Sequence, residues 1–567
     1  MKLKTTLLGA AAMMALAPAA WAERGSDGEV KLTFPQAVSI LNPYLSSGTK
    51  DIYASSMVIE PLAGFDDTGN LIPKMVTEIP TLENGGISED QTTITWKLLP
   101  DLKWSDGSPV TADDVIFTAA YCMDPAGGCA QLSKYDGVTK VEAIDASTVK
   151  VTFSAPKPYP YTAFVGATAP ILQKAQFAAC QGAAAPTCTD ANNMPIGTGP
   201  FRVTGFTVND TVTLEANPNY RDPAKPAFAT AVIKGGGDAE GSARAVMETG
   251  EFDYAWNTQI PPDSQAAMTA AGKGQFVVAF GTLVERLEMN MTDPDPALPD
   301  GERSTAKHPH PVLSDIRVRQ ALSKAIDRSI LVEVGYGAGG TPTCNVVPAP
   351  AAWASDNADC IAQDMPGAMA LLDEAGWKDS DGDGIRDKDG KKLHILYQTT
   401  VNPVRQDFQA LIKDWWTELG VEVELKAIDP SVFFGGDAGS PDTFQKFYAD
   451  VEMYANNFDG TDPEAYLAQY KCNKAPSPDN QWQGENMNRY CDPAYDAMVD
   501  ELSQTRDVAK RQELTKKLND MVTKDTFTVV ALVHRGTLSA HSNALAGVKI
   551  NAWDSELWNI ADWTRAK

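Results

Sequence analysis

Histidine is scarce in this chain, five in 567 residues. No two cysteines stand at Cys-x-x-Cys spacing either, so a structural zinc site has almost nothing to be built from. A nickel receptor is disfavoured by the same shortage. Catalytic signatures are missing as well. There is no Gly-x-Ser-x-Gly elbow, no His-Glu-x-x-His and no Gly-x-x-x-x-Gly-Lys loop, which removes the usual serine hydrolase, zinc peptidase and ATPase frames. Basic residues are the other deficit: 48 Lys and Arg stand against 74 Asp and Glu, a formal charge of −26. Neither nucleic acid nor an anionic membrane suits such a chain as a partner. No internal repeat or low-complexity domain is present. Nowhere does an apolar run approach the roughly 18 residues that a membrane-spanning helix needs.

What is present begins with an export signal. Lys2 and Lys4 precede an apolar run from Leu7 to Ala17, and Ala20-Trp21-Ala22 places small residues at a cleavage site, the layout of a secretory leader. Residues 1–22 are read as a signal peptide cleaved after Ala22, with no cysteine nearby to carry a lipid anchor. A soluble, free periplasmic protein of a Gram-negative cell is expected, more acidic still once both lysines are lost. The eight cysteines suit an oxidising compartment. The simplest pairing joins neighbours: Cys122 with Cys129, Cys180 with Cys188, Cys344 with Cys360, and Cys472 with Cys491. Each bridge would pin a surface loop for about 2 to 4 kcal/mol.

The chain far exceeds the ~250 to 300 residues at which single cores stop growing, so two or three lobes are expected. Ile94, Trp96 and Leu98 alternate with polar residues as a half-buried strand, and Ser105-Asp106-Gly107 supplies a turn. Thr111 with Asp114 three residues on reads as a capping box. Val318, Ala321, Leu322, Ala325 and Ile326 form a helical stripe, which makes Arg317 and Arg319 solvated or structural. Phe408, Leu411, Ile412, Trp415 and Leu419 form another. Gly420 ends it, and Val421, Val423 and Leu425 alternate as the strand of an αβ unit. Trp415 is assigned to the core. Leu514 to Val522 reads as a helix before the apolar strand Phe527 to Val533.

Five segments, in order, carry a resemblance: Trp104-Ser105-Asp106-Gly107-Ser108-Pro109-Val110-Thr111-Ala112-Asp113-Asp114-Val115; Gly197-Thr198-Gly199-Pro200-Phe201; Asn217-Pro218-Asn219-Tyr220-Arg221; Asp315-Ile316-Arg317-Val318-Arg319-Gln320-Ala321-Leu322; and Leu371-Leu372-Asp373-Glu374-Ala375-Gly376-Trp377 before an Asp-Gly turn. Together they resemble family 5 of the bacterial extracellular solute-binding proteins, which feed peptides to ABC importers. The resemblance implies an α/β fold of the periplasmic-binding-protein type, with two ligand-enclosing mixed-sheet lobes and an additional family-specific lobe. Expected bounds are 23–62, 192–284 and 534–567 for lobe I, 63–191 for lobe II and 285–533 for lobe III. Closure over solute rather than bond-making would be the mechanism, so the chain is read as no enzyme. The implied partners are a short peptide, held between lobes I and III, and an inner-membrane ABC permease, with the protein a monomer. An oligosaccharide receptor on the same fold is the alternative. A secreted hydrolase is the enzyme-class alternative, for which no catalytic pair is found.

Counting back from Asp462-Pro463, the resemblance places Asp459 at the position that holds a peptide's α-ammonium. Ala455 and Asn457 would offer backbone groups, and Ser47, Gly48 and Thr49 would face the peptide from lobe I. Asp459 can also be read as stabilising the Gly460 turn, and Asp462 as an N-cap before Pro463. Arg405 is the candidate partner for a ligand carboxylate, against a surface arginine in a first helical turn. Trp482, in the Cys472 to Cys491 loop, is a further ligand candidate, against a loop anchor. Asp379, Asp381, Asp383 and Asp387 space carboxylates like the first half of a calcium loop but lack its closing Glu, so calcium stands beside a plain turn. No other cofactor is expected.

Overall fold

The computed structural model describes residues 23–299 and 301–566; the expected leader lies outside them. Val30, Leu32 and Phe34 are fully buried along the strand Glu29–Phe34, which sits inside a seven-stranded sheet. The order is Gly274–Ala279, Thr537–Ser542, Tyr254–Ala255, Glu29–Phe34, Thr230–Gly235, Thr211–Ala216, Phe201–Thr207. Glu29–Phe34 runs parallel to both neighbours and the other pairings are antiparallel, so the sheet is mixed.

A six-stranded mixed sheet follows the order Gly340–Pro342, Val529–Arg535, Val284–Met289, Val451–Asn456, His394–Thr400, Glu422–Ile428. The helix Pro403–Glu418 joins its last two strands, which are parallel. The side chain of Asn402 accepts the amide of Arg405 at 3.0 Å to start that helix, and Gly420 at φ +82° turns the chain out of it, a conformation that suits glycine. The buried stripe runs Val404, Phe408, Ile412, Trp416 in steps of four. The core tryptophan is therefore Trp416, whose Nε1 donates to Leu322 O at 2.9 Å, while Trp415 is only partly buried at the margin.

The third body is an antiparallel sheet, Thr93–Lys97, Thr148–Phe153, Val138–Asp145, covered by the helix Ala112–Met123. Asp114 is buried and accepts the amides of Thr111 and Lys174, each at 2.9 Å, so it is structural. Arg319 is also structural, donating hydrogen bonds to the carbonyls of Leu313 and Thr526. All eight cysteines form bridges, Cys122–Cys129, Cys180–Cys188, Cys344–Cys360 and Cys472–Cys491. Among the described residues no helix is long and apolar enough to cross a membrane.

Two chain segments pass side by side between the large sheets. Gly274–Ala279 leads into Val284–Met289, and Val529–Arg535 leads into Thr537–Ser542. At the crossing Thr282 Oγ1 donates to Phe458 O at 2.9 Å and accepts its amide at 3.0 Å. A Cβ on Gly536 would collide with Val278. Paired crossings of this kind let two lobes turn about a short axis without losing register.

Candidate functional site

A cleft opens where the three bodies meet. The seven-stranded lobe contributes Ser47, Thr49, Tyr53 and Trp256. The six-stranded lobe contributes Arg405, Phe434 and residues 454–459, and the three-stranded lobe contributes Gln131, Lys134, Thr162 and Thr168. One edge of the strand Val451–Asn456 is paired along its length with Val284–Met289. The other pairs with His394–Thr400 only at Val451 and Glu452. Residues 454–457 thus line the cleft beside a strand edge that is unpaired beyond Glu452, with the Asn457 amide turned to Asn456 Oδ1 at 3.0 Å.

Charge on the walls is arranged in pairs. Arg405 is 3% exposed, which corrects the reading of it as a surface residue. Its Nε lies 2.7 Å from Glu285 Oε1, and Arg535 Nε lies 3.2 Å from Glu285 Oε2. Tyr336 Oη adds a hydrogen bond to the same carboxylate at 3.1 Å. Burial pushes the Glu285 carboxyl up, but the two guanidiniums outweigh it and hold it below the usual range. Asp459 accepts Thr168 Oγ1 at 2.6 Å and Lys134 Nζ at 3.2 Å. Asp462 accepts the amide of Glu464 at 3.0 Å and Arg511 Nη2 at 2.7 Å. Glu485 accepts Ser133 at both Oγ, 2.6 Å, and N, 3.2 Å. Glu556 accepts Tyr254 Oη and Ser539 Oγ, each at 2.6 Å.

Of the residues singled out from sequence, Ser47, Thr49, Arg405, Ala455, Asn457 and Asp459 stand on the cleft wall. Gly48 sits behind it as the residue preceding the helix Thr49–Ser56. Trp482 does not reach the cleft. It is 7% exposed, edge-on to Tyr448 at 6.0 Å and beneath Lys446 at 5.7 Å, and so anchors its own loop. Lys134, Arg535, Glu485 and Glu556 carry no signal in the sequence, because each comes from an unremarkable turn or strand and meets its partner only through the tertiary fold.

The acidic loop is a turn with its own cation. Oxygens of Asp379, Asp381 and Asp383 lie within 4.8 Å of one another, but Asp379 takes the amides of Gly382 and Gly384 at 2.7 and 3.1 Å. Lys392 bonds both Asp381 and Asp383. Asp387 leaves the group altogether, turned to the amide and hydroxyl of Ser380, which corrects its place among the carboxylates. Three converging carboxylates are fewer than the six to eight oxygens that calcium takes.

Comparison with known proteins matches this geometry. The family model described as bacterial extracellular solute-binding proteins, family 5 Middle, matches residues 70–477. The glutathione-binding protein GsiB of Escherichia coli O1:K1 is 24% identical over 526 residues, 92% of this chain and 91% of that one. Protein XP55 of Streptomyces lividans is 28% identical over 390 residues, 68% of this chain and 64% of that one. Among solved structures, the oligopeptide-binding protein AppA of Bacillus subtilis, in complex with a nonapeptide, superposes with TM-score 0.81 at 20% identity. It covers 96% of this chain and all 100% of its own. The murein tripeptide binding protein MppA of Escherichia coli gives 0.78 at 18% identity, covering 96% of this chain and 99% of its own. The architecture is the periplasmic-binding-protein fold. With the family's sequence pattern running through both the three-stranded and six-stranded walls of the cleft, the chain belongs to family 5 of the bacterial extracellular solute-binding proteins.

Proposed function

We propose that this protein is the periplasmic receptor of an ABC importer, capturing short peptides between its seven-stranded and six-stranded lobes and delivering them to an inner-membrane permease. The observation that carries the peptide reading is the strand edge, unpaired beyond Glu452, beside residues 454–457. An extended peptide would lie along it as an added strand, using main-chain hydrogen bonds that ask nothing of its side chains. Arg405 and Arg535 share one directly bonded carboxylate and would receive the peptide's carboxylate. Relatives named for glutathione, a nonapeptide and a murein tripeptide point to the same ligand class. Enclosure would strip water from these polar partners and present one closed shape to the permease.

Aromatic side chains on the walls, among them Trp256 and Phe434, are what an oligosaccharide receptor would use instead. The deciding experiment is native mass spectrometry of protein isolated from the periplasm of its producing cell, followed by release and sequencing of the bound molecule. A mixture of short peptides supports the proposal. A defined sugar replaces it with the oligosaccharide reading.

A further inference from the structure

Lys134 lies in the short helical turn Leu132–Tyr135 of the three-stranded lobe, and its carbonyl is held by Thr162 Oγ1 at 2.9 Å. Its side chain is 16% exposed and extends across the cleft, where Nζ meets Asp459 Oδ2 at 3.2 Å. The same oxygen takes Thr168 Oγ1 at 2.6 Å, and Gly166 packs so close that a Cβ there would stand 3.2 Å from it. Asp459 is thus the position that the resemblance assigns to a ligand ammonium, and an ammonium of the protein itself stands there.

The other acids on the wall already hold partners of the protein's own. Asp462 serves Arg511, Glu485 takes Ser133 and lies 3.8 Å from Lys474 Nζ, and Glu556 takes the hydroxyls of Tyr254 and Ser539. The nearby Asp554 is buried behind the wall, with its oxygens spent on the amides of Phe65, Ala167 and Ser555 at 2.8 to 2.9 Å. The imbalance lies on the other side, where two guanidiniums crowd one bonded carboxylate, Glu285. A second ammonium brought to Asp459 would sit beside Lys134 and repel it, or would have to displace it.

We infer that Lys134 is a specificity-determining residue that substitutes for the ligand's α-ammonium, so that the cleft selects peptides whose amino terminus is blocked, by acylation or by cyclisation to a lactam, and whose carboxylate is free. This rests on the peptide reading above. A blocked terminus supplies an amide in place of a charge, so it can approach Lys134 without repulsion and accept a hydrogen bond from it through its carbonyl oxygen.

The test uses one synthetic tetrapeptide mixture in two forms, free-amino and N-acetylated, both with free carboxylates. The forms are offered together to the intact mature protein, and the retained fraction is read by mass spectrometry. Wild type should retain acetylated peptides at least tenfold over free-amino ones. Lys134→Met should reverse the ratio by exposing Asp459, and Lys134→Arg should preserve the wild-type ratio. Thermal melts of both variants establish that they are folded, and the wild-type ratio holds the test if the methionine variant is not. Equal or better retention of free-amino peptides by wild type overturns the inference and leaves the peptide reading standing. A preference unchanged in folded Lys134→Met removes Lys134 as its source. Retention of neither form overturns the peptide reading, and the inference with it.

Discussion

Arg405 and Arg535 hold the same carboxylate, Glu285, the first reaching both oxygens and the second Oε2, although they come from a helix start and a crossing strand 130 residues apart in sequence. Glu285 lies on the other crossing strand, Val284–Met289, and is fully buried. Its removal leaves two buried guanidiniums facing each other, so Glu285→Gln should cost roughly 3 to 5 kcal/mol of stability in denaturant unfolding. The native carboxyl is held below the ordinary range, so the unfolded chain binds its proton first as pH falls. The stabilisation from Glu285 is complete above about pH 4.3, the unfolded value, and is lost as pH drops through the native one. Glu285→Gln should therefore lose less stability than wild type between pH 5 and 3.

Lys157 of the three-stranded lobe meets Glu464 Oε1 of the six-stranded lobe at 2.5 Å, with side chains 8% and 3% exposed. Arg511 serves both Glu464 and Asp462 from the far side. Lys157→Met would leave two buried carboxylates on one guanidinium, and should cost about 3 kcal/mol. Urea unfolding of Lys157→Met, Glu464→Gln and the double variant checks this. The double variant should recover part of the loss, because it no longer buries an uncompensated charge.

The parts of this fold that could be read in advance are those whose causes are local. The helix Pro403–Glu418 has its Asn cap, its proline at the first position, its apolar stripe and its terminating glycine within twenty residues, and the capping box at Thr111 and Asp114 is four residues long. A stripe read in mixed steps of three and four includes Trp415 and leaves Trp416 open, because its phase is uncertain by one residue. Burial of Val404 below Phe408 settles it. Of the cleft's charges, Asp459 and Arg405 stand beside local motifs, but Lys134, Arg535, Glu485 and Glu556 do not. Lys134 sits in a four-residue turn, and its partner Asp459 is 325 residues away.

The loop closed by Cys472–Cys491 reaches the loop closed by Cys122–Cys129, where Gln481 Nε2 donates to Ala126 O at 2.8 Å. Each bridge limits the freedom of a loop that contacts the opposite lobe. Cys472→Ser with Cys491→Ser should lower stability by about 3 kcal/mol, as expected for closing a loop of this length. It should also speed hydrogen exchange between residues 474 and 490 while leaving the helix Pro403–Glu418 unchanged. A uniform rise in exchange across the chain would mean that the bridge supports the whole fold and not the contact between loops.

Glu452 is buried in the six-stranded sheet directly across from Glu288 in the ladder. One of its oxygens takes Gln398 Nε2 at 2.9 Å, and the other has no hydrogen-bond partner among the described residues. Burial, reinforced by Glu288, pushes this carboxyl well above its ordinary range against the opposing pull of Gln398 and Arg489. The native state therefore keeps a proton that the unfolded chain has already released, and stability falls as pH rises from about 4.3 toward the native value. Glutamine has the same shape, can still accept from Gln398, and has no proton to lose. Glu452→Gln should match wild type near pH 4.5 and exceed it at pH 8, by about 1.4 kcal/mol for each unit by which the native value is raised. Denaturant midpoints at pH 4.5, 6 and 8 measure this. A constant deficit at all three would mean that the Glu452 carboxyl does not carry a raised titration between pH 4.5 and 8.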